Sequence, residues 1–163
     1  MNLAVQEALD HDFLESKINK LRMIIIRIRK TDLAIHALED LAREDYQKPV
    51  LDVKTRWNST YEMLKCSLKL KNPINGVCAS TIFMSPLSEE DWEDISLICD
   101  LLEPFYESTN EVASEKNSSI AMLSCTISVI METLDNFDID RIPRIKQEIS
   151  EIILKMKIKM GKQ

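Results

Sequence analysis

The stretch Asp52-Val53-Lys54-Thr55-Arg56-Trp57-Asn58-Ser59-Thr60-Tyr61-Glu62-Met63-Leu64 decides how this chain is read. Together with Pro49, Val50 and Leu51 just before it, its first residues predict a short extended connection, too brief to claim a sheet. Its second half has the form of a capping box. Ser59 stands at the N-cap and Glu62, three residues on, reaches back to the Ser59 amide. Tyr61, Leu64 and Leu68 then recur at steps of three and four, which places them on one face of a helix. That helix is expected to end near Asn72-Pro73, because the residue before a proline avoids the α region.

The same periodicity extends in both directions. Upstream, Asn2 to Asp10 reads as the end of a helix. Leu14, Ile18, Leu21, Ile25 and Ile28 follow as one continuous apolar stripe. Thr31 or Asp32 can cap a further helix carrying Leu33, Ala37, Leu38 and Leu41. Downstream, Ile74, Val77 and Cys78 mark a shorter segment. Ser88-Glu89-Glu90-Asp91 is a start signal with acidic residues in the first turn, where the helix dipole favours them. Trp92, Ile95, Cys99, Leu102 and Tyr106 continue at helical spacing, and Pro104 is expected to kink that helix or end it one residue earlier. Asn117-Ser118-Ser119 punctuates the chain before a stripe of Ile120, Leu123, Ile127, Ile130 and Leu134. Ile142, Ile145, Ile149, Ile152 and Met156 form the last stripe, and Lys157 to Gln163 reads as frayed. Six or seven amphipathic helices are therefore expected, in a mainly α fold with little or no sheet. They form one helical domain over 1–160 with a tail at 161–163.

Composition narrows the function. Apolar residues make up 45% of 163 and charged residues 29%, which suits a packed domain rather than a disordered segment. Gly76 and Gly161 are the only glycines, too few for a phosphate-cradling loop or a dinucleotide fingerprint. No apolar run is long enough to span a membrane, and the acidic start does not resemble a secretory signal. Cys66, Cys78, Cys99 and Cys125 are separated too widely for a zinc site, and buried reduced thiols are expected. No metal ligands, catalytic constellation or small-molecule substrate can be read. The net charge of -6 means that any DNA contact must be local, because broad phosphate binding calls for a basic surface.

The run DVKTRWNSTYEML closely resembles the signature of hAT-superfamily transposases and their domesticated BED zinc-finger relatives. Asn2 to Leu9 resembles the family segment that follows a Cys-x-x-His pair. Asp91-Trp92 through Leu102-Glu103-Pro104-Phe105, with Thr109, resembles a later family helix. Ordered agreement runs from Asn2 to about Leu134. The resemblance implies the helical insertion of an RNase H-like transposase, a nuclear protein that associates with DNA. It gives Trp57 a stacking role beside a flipped base and Arg56 a backbone or orienting role. Lys54 and Lys65 complete the expected DNA-contact set.

The resemblance also places the family's catalytic aspartates upstream of Asn2, and its catalytic glutamate downstream. Two-metal phosphodiester chemistry requires those carboxylates, so Mg²⁺ is expected only for a complete parent and no cleavage is expected here. Structural alternatives stand beside these roles. Trp57 can serve as a packing residue, Arg56 can pair with an acid such as Asp52, and Lys65, Lys69 and Lys71 can form a solvated helix face. The leading functional expectation is a part that helps bind DNA ends and assemble subunits of a complete parent, with a homo-oligomer or protein partners. The competing one is a domesticated helical protein-interaction module with no direct DNA role; the acidic charge favours it.

Overall fold

The computed structural model describes residues 2–80, 85–114 and 120–161 of the chain. Side chains at 2–3 and 112–123 are outside that description, so the expected punctuation at Asn117-Ser118-Ser119 and the first two residues of the Ile120 stripe lie outside the described residues. The helices are α1 (Asn2–Leu9), α2 (Asp12–Lys30), α3 (Asp32–Ala42), α4 (Trp57–Lys69), α5 (Lys71–Ser80), α6 (Glu89–Ser114), α7 (Ile120–Asp135) and α8 (Lys146–Met160). Short 3-10 turns follow α3 and precede α8. Among the described residues there is no strand, and 46–53 has no regular secondary structure.

The chain divides into two compact units, Glu15–Cys99 and Met1–Leu14 with Asp100–Gln163, where the sequence periodicity predicts one domain over 1–160. In the Glu15–Cys99 unit, α3 and α4 each pack against α5. Ile18, Leu21, Ile25 and Ile28 of α2 are all buried, the outcome that their spacing demands. The α3 stripe turns differently. Ala34, Leu38 and Ala42 are buried while Leu33 is 80% exposed, so this face is built mainly from small residues. Gly76 fits that close approach, because a Cβ there would lie 2.8 Å from Leu41 Cδ1.

In the other unit α1 and α7 pack against α8. Ala4, Val5, Ala8 and Leu9 of α1 are buried, as are Ile149, Ile152, Met156 and Met160 of α8. The frayed end expected from Lys157 is instead helical to Met160, because Met160 still has apolar surface to bury. Likewise α6 neither ends nor breaks at Pro104 but runs on to Ser114. Proline removes one backbone donor there, and burial of Leu101, Leu102 and Phe105 on both sides offsets that loss. Pro73 lies in the first turn of α5, where its missing N–H has no helical partner to lose. Of the cysteines, Cys66, Cys78 and Cys99 are buried as expected, but Cys125 is exposed.

Candidate nucleic-acid interface

The signature stretch folds into a loop clasped at both ends and the first turns of α4. Ser59 is not the N-cap. Arg56, in extended conformation, holds that position, and the Ser59 and Thr60 amides donate to its carbonyl at 2.9 and 3.4 Å. The Ser59 hydroxyl turns back instead. It accepts from Val53 N at 2.9 Å and donates to Arg56 O at 2.7 Å. This closes the Val53–Arg56 turn locally, which competes successfully with the capping-box geometry.

The loop is anchored by a buried carboxylate. Asp52 has a side chain with no exposed surface, and its Oδ1 accepts from Arg22 Nε at 2.7 Å. Its Oδ2 accepts from Arg22 Nη2 at 2.5 Å and from the Thr60 hydroxyl at 3.0 Å. Burial works to raise the Asp52 pKa, but the forked guanidinium and the Thr60 hydroxyl outweigh it and hold the carboxyl below its ordinary value. Arg29, two turns along α2, donates to Pro49 O at 3.3 Å. Residues 49–52 therefore run along two turns of α2.

Asp52 thus pairs with Arg22, not Arg56, and nothing short-range in the sequence links residues thirty apart. The available signal is positional: Arg22 and Arg29 are seven apart, so both flank the same edge of the buried α2 stripe.

The sequence points to four residues at the interface. Lys54, Arg56 and Lys65 are exposed, whereas Trp57 is only 5% exposed. As folded, the indole offers no open face to an unstacked base; α4 begins at Trp57 and turns that side chain into the core with Tyr61 and Leu64. Lys65 Nζ donates to Tyr61 Oη at 2.8 Å and lies 5.2 Å from the ring centroid. Asn58 Oδ1 is buried without a hydrogen-bond partner, an unusual expense within the motif. Charge is concentrated here as well. Residues 46–71 hold six Lys or Arg against two Asp or Glu, an excess of four in a chain of net charge -6.

The acidic group at the start of α6 has a different role. Ser88 and Asp91 form the reciprocal cap: Asp91 N donates to Ser88 Oγ at 3.1 Å and Ser88 N to Asp91 Oδ2 at 3.4 Å. Lys17 Nζ lies 2.7 Å from both Asp91 Oδ1 and the buried Asp94 Oδ2, and Lys20 Nζ 3.2 Å from Asp91 Oδ1. Burial would raise the Asp91 pKa, yet these ammonium groups lower it to about 2. Trp92 is 1% exposed and its Nε1 donates to Asn75 Oδ1 at 3.1 Å, the packing role expected of it. Among the described residues, no three His, Cys, Asp or Glu side chains are grouped to hold a metal ion, and no helix is long and apolar enough to cross a membrane.

Comparison with known proteins agrees with the signature. The ZBED1 RNase-like helical domain family matches residues 1–101. Zinc finger BED domain-containing protein 4 of Homo sapiens is 26% identical over 123 residues, 72% of this chain and 10% of that protein. Zinc finger BED domain-containing protein DAYSLEEPER of Arabidopsis thaliana is 35% identical over 72 residues, 42% of this chain and 10% of that protein. A Talaromyces stipitatus protein whose name describes a transcriptional regulator is 29% identical over 82 residues, 48% of this chain and 10% of that protein. The chain thus spans about a tenth of the length of these curated relatives. No solved structure matches. The matched family is a helical region rather than a catalytic domain, and the chain belongs to it: this is a ZBED1 RNase-like helical domain, the helical part of the hAT and BED transposase-derived lineage.

Proposed function

We propose that this chain is the helical, non-cleaving part of a transposase-derived, DNA-associated nuclear protein, and that it touches DNA through the loop opening α4. The observation that carries this reading is the pairing of exposed cations with a rigid support. Lys54 and Arg56 project from a turn whose neighbours are fixed by the Asp52–Arg22 pair and the Ser59 clasp. Such a support limits the side-chain and loop entropy lost on binding. Arg56 is suited to a phosphate through two parallel hydrogen bonds, and Lys54 and Lys65 as point charges. Trp57 serves as the seat of α4 rather than as a stacking face. Phosphodiester cleavage would need metal-holding carboxylates from elsewhere, so no Mg²⁺-dependent cutting is expected of this chain.

The test is binding of labelled hairpin and duplex DNA to the chain across a salt titration. Lys54→Ala/Arg56→Ala should weaken binding and reduce the slope of log affinity against log salt by about 0.9 for each phosphate no longer neutralised. Unchanged affinity and slope, with the variant folded, would remove the α4 loop from DNA contact. A helical protein-interaction module would then be the better description.

A further inference from the structure

Charge in this molecule is segregated more sharply than its total suggests. Residues 22–30 and 46–71 together hold ten Lys or Arg against two Asp or Glu, whereas the whole chain holds 21 and 27. The remainder is therefore strongly acidic, with eleven basic residues against twenty-five acidic ones. Two hydrogen-bonded pairings bring the basic segments together: Arg22 with Asp52, and Arg29 with Pro49 O. Pro49 lies opposite Arg29 and Asp52 opposite Arg22, so the loop runs antiparallel to α2.

We infer that the last turns of α2 and the 48–56 loop form one continuous phosphate-binding surface, with Arg29, Lys30 and Lys48 at one end and Lys54 and Arg56 at the other. This rests on the DNA-associated reading above and extends it to residues outside the signature stretch. Arg22 and Arg29 lie seven positions apart on α2, a rise of about 10 Å between the two points at which the loop is held. Lys30, Lys48, Lys54 and Arg56 are all exposed, and Arg29 keeps further guanidinium donors beyond the one given to Pro49 O. Asp52, the acid at the centre of this surface, is neutralised by Arg22 and carries no exposed surface. Exposed cations spread over two elements fit the backbone of duplex DNA, not its base edges.

The experiment measures binding of the chain to a short labelled duplex of arbitrary sequence between about 50 and 200 mM salt. Lys30→Ala/Lys48→Ala spares the Arg29 hydrogen bond and should lower the salt slope by about 0.9 for each phosphate left without its cation, equally for unrelated sequences. Adding Arg29→Ala should lower it further, while Lys155→Ala, in the other unit, should leave it unchanged. If both α2-end variants keep the wild-type slope while Lys54→Ala/Arg56→Ala loses it, the extended surface is refuted and the α4 loop alone remains. If the wild-type chain shows no salt-dependent binding to DNA, or binds only vesicles of anionic lipid, both readings fall.

Discussion

The two units use opposite charges in contrasting ways. In Glu15–Cys99 the carboxylates of Asp52 and Asp94 are wholly buried and that of Asp91 is 11% exposed, each against Arg or Lys. In the unit of Met1–Leu14 with Asp100–Gln163, the carboxylates of Asp100, Asp135 and Asp140 are 43%, 67% and 75% exposed opposite Arg141, Lys157 and Lys146. A buried pair need not add much stability, but losing one partner leaves a charge that nothing else can satisfy. An exposed pair is nearly dispensable. The first unit is therefore pinned in one arrangement by its ion pairs, and the second relies on apolar packing. The family match over residues 1–101 takes in the whole of the pinned unit.

The comparison breaks most readily at the two ends of the pinned loop. Trp57→Ala should destabilise the chain by about 3–5 kcal/mol in urea unfolding, because a large buried ring leaves a cavity. Arg22→Ala should cost a similar amount, roughly 3–5 kcal/mol, by stranding Asp52. Arg22→Met/Asp52→Leu, which removes both charges, should recover most of that loss if the cost lies in the stranded charge. Failure to recover would assign it to geometry that only the ion pair supplies.

Acid titration sharpens the same contrast. The folded pKa of Asp91 is about 2, below the ordinary carboxylate value, so its contribution is complete above about pH 4 and is lost as pH falls toward 2. The loss should approach about 2 kcal/mol, and Asp91→Asn should flatten the acid limb of the stability curve. Lys17 points the other way. Burial opposes its charge, but bonds to Asp91 and Asp94 outweigh this and raise its pKa. That contribution persists below the ordinary lysine range and disappears only at higher pH. Two smaller effects follow. Arg43 has φ of 51° at the end of α3, so Arg43→Gly should relieve strain and stabilise the chain by about 0.5–1 kcal/mol in the same unfolding assay. Arg141→Ala should change stability by less than about 1 kcal/mol, and salt should abolish even that.

Where burial follows a regular step, sequence is a sufficient guide. The stripe of α2, that of α6 from Trp92 to Leu102 and that of α8 from Ile149 to Met156 lie inward because spacing alone decides which side chains share a face, whereas Tyr106 and Ile142 at the ends of the expected stripes are only half-buried. Reading fails where small residues or distant partners decide. On α3 the bulkier Leu33 is the expected core residue, yet Ala34 and Ala42 allow closer packing. Ser59-x-x-Glu62 carries a capping-box pattern, but a hydrophobic side chain at Trp57 draws the helix start three residues earlier and frees Ser59 to clasp Val53. The Arg56-Trp57 pair is visible as a motif, but its division into an outward cation and an inward indole is not. That division depends on Arg22, thirty residues before Asp52, holding the loop against α2.

The division can be tested through the indole itself. In a Trp92→Phe variant, Trp57 is the single tryptophan fluorophore, and acrylamide quenching can be followed with and without duplex DNA. Blue-shifted, poorly quenched emission that DNA leaves unchanged is expected of a ring that seats α4. Red-shifted emission in the free chain, or strong quenching when DNA is added, would contradict it and return Trp57 to the side of the bases.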